Sequence, residues 1–535
     1  GPPGPILKQL IPQTILEEHT EIAEPVSAST PNSTYSERFA TQDIDRERMS
    51  FYRGLIRETF AKNASVFICQ PTIADIDYTL ASLEKGIKEY TVVLHHRLKK
   101  AELLKAWNEA LRKTHPLVII GTPLFLSLPR TDIQTLIIDH ESSVHYKLTN
   151  RPFSDARFLA EQLARRSGWR LIRGDVVLST ETAYHLAAGD YLTALSVKQR
   201  LISEATTKII PLSKFEIITE ELAKVIETAH RADERVLILS GRRGLAPLIV
   251  CEDCQYPITC ERCAMPIALH RRGGAAKKEA GATILICHRC GQTRKVNELC
   301  PSCGSWRLRE LGVGIDKVFE TVTELLPQAS RIRLDSDSVT TPARAQQRVN
   351  KFLASPGSVL VGTEMALNYL RDKIETIIVV GLDSLLLRPD FRSRERLFTN
   401  LIRARSLASK RFLIQTRRPD ETLFQQALQG NILDFYREEI SARQRFDYPP
   451  FRTLIKISRL GPRELVTQEL QALADYLKAY QPIVFPALQP DEAGKYQQNL
   501  IMKIDPAGWP EPELLRILRE LPANYLVTVD PEHIF

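Results

Sequence analysis

The sequence predicts an α/β protein with two parallel-sheet lobes in tandem, followed by a small α+β domain. Short apolar runs of strand length alternate with helical segments, which is the pattern of βαβ units and a parallel sheet. This rhythm occurs twice, across residues 43–205 and again across 206–250 and 304–431. From residue 432 to 535 the pattern changes to a charged helix, a Tyr448-Pro449-Pro450 breaker, and then strand, helix, strand, strand, helix and strand, which predicts the α+β C-terminal domain.

The individual strands are predicted from apolar runs bounded by turn residues. In the first lobe these runs are Ser65–Cys69, Tyr90–Leu94, Leu117–Gly121, Thr135–Ile138 and Val176–Ser179. In the second lobe they are Arg235–Ser240, Ile332–Asp335, Ser358–Gly362, Thr376–Gly381 and Arg411–Thr416. A cysteine-rich block, residues 251–303, interrupts the second lobe between a strand and the next helix.

The composition is that of a soluble globular chain and argues against a membrane span. Of 535 residues, 43% are hydrophobic and 25% are charged, which is ample for several buried cores. The longest apolar stretches are interrupted by polar residues or proline and fall short of the ~18 residues that a span needs. Residues 1–42 are polar and Pro-rich without a signal-peptide pattern, so we expect a disordered arm or tag remnant and a cytoplasmic location.

Eight of the nine cysteines form four Cys-x-x-Cys knuckles: Cys251/Cys254, Cys260/Cys263, Cys287/Cys290 and Cys300/Cys303. Two knuckles complete a tetrahedral zinc site, so four predict two Zn²⁺ ions, each closed by thiolates and therefore structural. Disulfides are disfavoured without a secretory signal, and a redox motif needs only one pair. The knuckles could pair by nesting or by interleaving.

The positive charge is concentrated in one stretch. The whole chain has 72 Lys+Arg against 64 Asp+Glu, a difference of 72 − 64 = +8, and residues 388–418, here called the basic segment, reach 10 − 2 = +8 alone. Clustered cations contact phosphates and interleaved Phe side chains stack on bases, which favours DNA binding over a merely solvated helix face. The candidate contacts are Arg388, Arg392, Arg394, Arg396, Arg403 and Arg405.

Several motifs carry a resemblance to a known family. Gly241-Arg242-Arg243-Gly244 before the first knuckle, Val361-Gly362-Thr363-Glu364-Met365, and Pro389-Asp390-Phe391-Arg392-Ser393-Arg394-Glu395-Arg396 resemble, in order, the second lobe of the PriA family of replication-restart helicases. Leu136-Ile137-Ile138-Asp139-His140-Glu141 and Ser179-Thr180-Glu181-Thr182 are similar to first-lobe segments of that family, and Tyr448-Pro449-Pro450-Phe451 to its closing domain. The resemblance covers about residues 43 to 535.

The resemblance implies RecA-like lobes and knuckles that nest. One zinc would then be held by Cys251, Cys254, Cys300 and Cys303, and the other by Cys260, Cys263, Cys287 and Cys290. It also implies forked or single-stranded DNA and primosome proteins as partners, with Lys495 and Tyr496 as a secondary DNA contact. We expect an unrelated arm, residues 1–42, in place of the family's N-terminal DNA-binding domain, and we expect a monomer.

The motifs for ATP hydrolysis are degenerate. No Gly-x-x-x-x-Gly-Lys-[Ser/Thr] loop occurs, and the acidic stretch from Gln42 to Arg48 stands before the predicted helix Met49–Phe60, where the loop should lie. Asp139 remains as a vestigial Mg²⁺ ligand or a capping residue, but His140 replaces the glutamate that would activate water. The arginine-finger positions hold Leu407 and Lys410. ATP and Mg²⁺ are therefore not expected.

These observations leave three hypotheses. The preferred one is a DNA-binding replication-restart protein without ATPase or helicase activity, and therefore not an enzyme. The first alternative is a zinc-dependent scaffold that docks replication or repair proteins. The second is an ATP-dependent 3'-5' DNA helicase that uses an unrecognised nucleotide site.

Overall fold

The computed structural model describes residues 9, 11–18, 22, 37–83, 86–195, 197–212, 216–241, 248–254, 256, 258–261, 268–271, 283–286, 293–295, 299–311, 314–386, 390–487 and 496–534. The chain divides into two compact units. The first comprises residues 1–201 and 430–440, and the second comprises residues 202–429 and 441–535.

The first unit is built on a seven-stranded parallel sheet with the strand order β3-β4-β2-β5-β6-β1-β7. Its strands are β1 Arg38–Gln42, β2 Ser65–Cys69, β3 Thr91–Leu94, β4 Val118–Gly121, β5 Ile133–Asp139, β6 Arg170–Asp175 and β7 Leu192–Thr193. The α-helices are Gln13–Glu17, Asp45–Ala61, Ile73–Leu83, Lys100–Arg112, Ala156–Ser167 and Thr180–Ala187. Strands β2 and β4 are buried along their whole length, as central strands of a sheet covered on both faces are.

The predicted boundary at residue 43 is wrong. Strand β1 pairs in parallel with both β6 and β7, so residues 38–42 belong to the sheet rather than to an arm. The stretch Arg38-Phe39-Ala40-Thr41-Gln42 lacks the apolar run that marks the other strands, which is why it escaped prediction. The predicted strand Val176–Ser179 is also wrong, because these residues form a buried loop that follows β6. Strand β6 itself contains Arg170 and Arg173, so it lacks the apolar run by which strands were predicted.

The second unit contains a six-stranded parallel sheet with the order β15-β16-β9-β17-β18-β8. Its strands are β8 Thr206–Pro211, β9 Val236–Ser240, β15 Arg331–Leu334, β16 Val359–Gly362, β17 Ile374–Val380 and β18 Ala408–Thr416. The α-helices are Glu220–Arg231, Ile315–Leu325, Pro342–Ala354, Asp383–Leu386, Ser393–Leu407 and Thr422–Gln429. The predicted pair of parallel α/β lobes is confirmed, and both lobes are RecA-like.

Small antiparallel sheets complete the second unit. In the cysteine-rich insertion, β10 Leu248–Cys251 pairs with β14 Leu308–Leu311, and β11 Ala268–Arg271, β12 Thr283–Ile286 and β13 Thr293–Lys295 form a second sheet. The C-terminal sheet has the order β20-β21-β19-β22, with strands β19 Thr453–Gly461, β20 Ile483–Pro486, β21 Tyr496–Ile504 and β22 Tyr525–Val529. Helices Arg463–Tyr476 and Pro512–Glu520 pack on one face of it, so the predicted α+β order is confirmed.

Helix Ile432–Arg445 crosses the division between the units, because residues 430–440 belong to the first. The Tyr436 hydroxyl lies 2.6 Å from the Gln42 side-chain oxygen and 2.9 Å from the Leu178 carbonyl. The predicted C-terminal domain therefore begins some residues too early at 432. The shift reflects contacts between residues far apart in sequence, which a local pattern cannot reveal.

Candidate functional site

Polar residues of the first unit gather where its parallel strands end. Asp43 follows β1, Gln70 follows β2, Asp139 ends β5 and Asp175 ends β6. These strands lie side by side in the sheet, and the carboxyl edge of a parallel sheet is the usual place for a ligand site. The edge therefore brings several acidic groups to one place.

A buried arginine enters this edge from the first helix. Arg48 lies on the inward face of helix Asp45–Ala61, and its side chain is 0% exposed. Its Nε donates to Asp139 Oδ1 at 2.9 Å, and its Nη1 donates to the Asp43 carbonyl at 2.7 Å. Its Nη2 lies 3.0 Å from the Asp45 carboxylate. One guanidinium thus holds together three acidic positions.

Both carboxylate oxygens of Asp139 are engaged. Tyr52, one turn beyond Arg48, donates its hydroxyl to Oδ1 at 2.8 Å, and Gln70 donates its amide to Oδ2 at 3.2 Å. Burial alone would raise the pKa of Asp139, but Arg48 and His140 outweigh burial and lower it. Asp139 is therefore an ionised, fully paired side chain and not a helix cap.

A buried histidine lies in the same cluster. His140 Nε2 is 3.6 Å from Asp75 Oδ1 and 3.8 Å from Asp139 Oδ2, and its Nδ1 is 3.8 Å from Asp175 Oδ1. Burial would lower the pKa of His140, but Asp139, Asp45 and Asp75 outweigh burial and raise it. The carboxylate cluster, defined as Asp45, Asp75, Asp139 and Asp175, therefore surrounds the Arg48 guanidinium and the His140 ring and favours the protonated form of that ring.

The two first-lobe segments that carried the family resemblance are joined by a buried glutamate. Glu141 accepts hydrogen bonds from the Ser179 amide at 2.5 Å and from the Thr182 hydroxyl at 3.1 Å. Burial raises the pKa of Glu141, against the opposing charge of Arg173. Glu141 thereby fixes the Ser179–Thr182 turn beside the carboxylate cluster.

Arg48, Tyr52 and Gln70 were not among the residues predicted for this site. The pattern that could have found Arg48 and Tyr52 is the helical spacing of Arg48, Met49, Tyr52 and Ile56, which places an arginine on an otherwise apolar inward face. Gln70 follows strand β2 and has no such signal. A buried arginine needs carboxylate partners, and Asp139 and Asp45 supply them.

Four cysteines of the insertion form one candidate metal centre. The Sγ atoms of Cys251, Cys254, Cys300 and Cys303 all lie within 4.8 Å of one another. Tetrahedral zinc with bonds of about 2.3 Å requires such spacing, so the residues fit this ion. The pairing of β10 with β14, in register at Cys251 and Leu308, brings the two distant knuckles together. Structural zinc supplied here would fix the fold and leave no open coordination position.

The second predicted zinc set is not tested by the structure. Cys260 is buried, whereas Cys263, Cys287 and Cys290 lie outside the described residues. The four clustered cysteines come from the first and the last knuckle, which is the pairing expected if the knuckles nest.

The cations of the basic segment are largely engaged by acidic side chains. Arg396 Nη2 lies 2.9 Å from Glu532, and Arg394 Nη1 lies 2.6 Å from Glu421. Arg392 is buried 3.5 Å from Glu395, with its guanidinium 4.8 Å from the Phe391 ring centre. The buried Arg405 donates to the Leu428 carbonyl at 2.9 Å.

These pairs correct the charge argument made from the sequence. Glu234 pairs with Lys410 and Arg411, and Glu421 pairs with Arg394 and Arg418. Glu234, Glu421 and Glu532 all lie outside residues 388–418, so the count of +8 within the segment overstates its uncompensated charge. The folded chain brings these acids next to the basic segment.

Three further predicted contacts have different surroundings. Arg403 is half-buried and makes no ion pair within the described part of the chain. Tyr496 begins β21, where the Arg463 guanidinium lies 5.4 Å from its ring centre. Arg388 and Lys495 lie outside the described residues.

Two parallel α/β lobes in tandem, with a cysteine-rich insertion in the second, define the fold class of this protein. Solved structures that share features of this fold include the NS3-like helicase of Alongshan virus, with a TM-score of 0.37 and 9% identity over 73% of this chain and 74% of that one. The Mycobacterium smegmatis helicase Lhr has a TM-score of 0.41 and 12% identity, with 74% of this chain and 46% of that chain covered.

The chain is similar in sequence to curated replication restart proteins named PriA. The PriA of Chlamydia muridarum is 26% identical over 485 residues, which cover 87% of this chain and 63% of that protein. The PriA of Thermotoga maritima is 25% identical over 494 residues, covering 89% and 64%. No family model matches the chain. The chain spans less than two thirds of the length of these curated relatives.

The described helices include none that combines the length and the apolar character needed to cross a bilayer.

Proposed function

We propose that this chain is a DNA-binding protein of replication restart that does not hydrolyse ATP. The observation that carries the restart role is the relationship to PriA over 84–89% of the chain in the first three relatives. Forked or single-stranded DNA, primosome proteins and a cytoplasmic location follow as parts of the same proposal. Two structural zinc ions complete it.

The ionic cluster of the first unit supports the absence of hydrolysis. Phosphoryl transfer needs a metal ion that neutralises the phosphate charge and a group that orients water. Asp139, the expected ligand of that metal, already binds Arg48, Tyr52 and Gln70. Glu141 is held by Ser179 and Thr182. A metal ion at Asp139 would have to displace a buried guanidinium.

Within the basic segment, Arg403 is the strongest remaining candidate for a DNA contact. Arg392, Arg394 and Arg396 have acidic partners, whereas the described residues offer Arg403 none. A phosphate would supply the missing counter-charge. Each phosphate contact adds about one unit to the slope of log K against log salt.

The test is fluorescence anisotropy of forked and single-stranded DNA, titrated with salt. The Arg403→Glu variant should bind more weakly, with a salt slope lower by about one unit. The matched control is Arg344→Glu, which makes the same charge change at an exposed helix position outside the segment. Equal affinities for the Arg403 variant and the unaltered protein would contradict the assignment of this residue, and absence of DNA binding by the unaltered protein would contradict the proposed function.

A further inference from the structure

Three exposed arginines lie on one face of helix Asp45–Ala61 in the first unit. They are Arg46, Arg53 and Arg57, here called the arginine stripe. Spacings of seven and four residues place them within about 40° of one another around the helix axis, and about 10 and 6 Å apart along it. Within the part of the chain that the structure describes, their side chains make no hydrogen bond and no ion pair. Their counter-charge therefore has to come from solvent ions or from a bound partner.

The acids of the same helix are largely paired with other cations. The helix contains four arginines and three acids, a difference of 4 − 3 = +1. Asp45 lies 3.0 Å from the buried Arg48, and Glu58 lies 3.1 Å from Arg170. Of the acids in this helix, all of which the structure describes, Glu47 alone is left to oppose the arginine stripe. The solvent face of the helix is therefore more positive than its sequence count indicates.

The helix that packs into the same core, Ile73–Leu83, has its acids beside histidines. Asp75 Oδ1 lies 3.6 Å from His140 Nε2. Burial raises the pKa of Asp77, against the opposing charge of His95. Because His140 and His95 follow strands β5 and β3, both acids lie toward the carboxyl edge of the sheet and are engaged there.

A glycine without a packing role lies next to the arginine stripe. Gly54 directly follows Arg53 in the middle of the helix, and nothing lies within 4 Å of the position that a Cβ would take. Glycine in a helix interior is less stable than alanine, and packing within the chain does not require it here. Ser50, one turn earlier, is also small and exposed. Small residues among cations let a phosphate backbone approach the helix closely.

We propose that the arginine stripe binds the phosphate backbone of double-stranded DNA, with Gly54 at the point of closest approach. Guanidinium groups match phosphates in both charge and geometry. The aromatic rings of this helix, Phe51, Tyr52 and Phe60, are buried or half-buried in the core. Single strands are bound by stacking on exposed rings, whereas a duplex offers its backbone. This contact rests on the proposed DNA-binding function and extends it to a duplex surface on the first unit.

The experiment titrates salt against the binding of a short fluorescein-labelled DNA duplex by the whole zinc-loaded chain, followed by anisotropy. A triple variant with Arg46→Gln, Arg53→Gln and Arg57→Gln should bind more weakly. Its slope of log K against log salt should be smaller by about 2.7, because each phosphate contact on a duplex contributes about 0.9. Glutamine has nearly the helix propensity of arginine, so the fold should persist.

The matched control removes three charges at exposed positions on other helices of the first unit. Its substitutions are Lys105→Gln, Arg165→Gln and Arg166→Gln. The control should keep the salt slope of the unaltered chain within about half a unit, because it removes no phosphate contact.

Two single variants test the surroundings of the arginine stripe. Gly54→Leu keeps the charge and places its Cβ in open space, so the chain should fold while its Kd for the duplex rises severalfold. Glu47→Gln removes the opposing acid, so it should lower that Kd.

A triple variant with the salt slope of the unaltered chain would overturn the proposal. An equal loss of affinity for oligothymidylate would also overturn it, because the arginine stripe would then bind single strands. Binding of polyglutamate that depends on the three arginines, with duplex binding unaffected, would assign the surface to an acidic protein instead. A lower slope in Arg403→Glu with none in the triple variant would support the proposed function and overturn the duplex contact alone, whereas an unaltered chain that binds no DNA would overturn both.

Discussion

Arg48 Nε lies 2.9 Å from Asp139 Oδ1 with the side chains 0% and 1% exposed, so the expected metal ligand of the first lobe is paired with a cation of the chain itself. Removing one member of a buried ion pair leaves an uncompensated charge and costs about 3–5 kcal/mol. We therefore expect Arg48→Ala to lower the free energy of unfolding of the first unit by that amount, measured by urea denaturation.

The paired replacement is the control for that experiment. Arg48→Met combined with Asp139→Leu removes both charges and keeps apolar volume, and such exchanges are often close to neutral. Tyr52 and Gln70 would lose their acceptor, so we expect some loss, but clearly less than in Arg48→Ala. A double variant as unstable as Arg48→Ala would contradict this account, because the loss in the single variant would then not come from the unpaired charge of Asp139.

The stability of the first unit should fall as pH rises above the unfolded pKa of His140. The pKa of His140 is raised in the fold by Asp139, Asp45 and Asp75 against the effect of burial. The stability it contributes is complete below its unfolded pKa of about 6.5 and is lost as pH rises through the higher folded pKa. His140→Gln should abolish this loss, as measured by the unfolding midpoint from pH 6 upward. Parallel pH profiles for the two proteins would refute the assignment.

At the acid end of the same profile of stability against pH, the loss of stability should come from protonation of Asp139. Its lowered pKa means that its contribution is present above the unfolded value of about 3.9 and is lost as pH falls through the folded value. This limb should persist in His140→Gln and disappear in the Arg48→Met, Asp139→Leu variant. An acid limb unchanged in the double variant would assign it to other carboxylates.

The four-cysteine cluster should hold one zinc ion independently of the rest of the insertion. Cys254→Ser removes one ligand of that set, so we expect the zinc content to fall by one equivalent, measured by atomic absorption. Structural zinc contributes about 10–16 kcal/mol to the folding of small domains, so the knuckle should also become protease-sensitive. The isosteric control is Cys69→Ser, at a cysteine buried in the first unit and remote from the cluster in sequence, which should keep the full zinc content.

Arg396 should stabilise the second unit through its contacts with Glu532 and should not serve as a free cation. Its guanidinium donates to the Glu532 carboxylate and carbonyl at 2.9 and 2.7 Å. Losing hydrogen bonds to a charged partner costs about 1.5–3 kcal/mol, so Arg396→Ala should destabilise the second unit by this amount in thermal unfolding. Arg344→Ala, at an exposed position, should stay within about 0.5 kcal/mol of the unaltered protein. Equal unfolding free energies for both variants would show that the Glu532 pair contributes nothing.

Local patterns were sufficient for elements with strong periodicity. The buried strands β2 and β9 and the order of the C-terminal domain were predicted from apolar runs, since burial on both faces leaves a continuous hydrophobic stretch. Strand β1 was missed because its sequence has little apolar character, and its pairing with β6 joins residues more than a hundred positions apart.

In the candidate site, too, local sequence patterns predicted some residues and missed others. The cysteine knuckles were evident because a metal demands fixed ligand types at short spacing. The partners of the basic segment were not, because Glu234 and Glu532 come from distant parts of the sequence. The same holds for Arg48, whose role depends on Asp139, 91 residues away.

The measurement that tests the account most directly is DNA-stimulated ATP hydrolysis by the zinc-loaded chain. Because the oxygens of Asp139 are bound by Arg48, Tyr52 and Gln70, we predict phosphate release indistinguishable from the background without protein. The Asp139→Ala variant is the matched control for a contaminating ATPase. DNA-dependent turnover by the unaltered chain that disappears in Asp139→Ala would contradict the account.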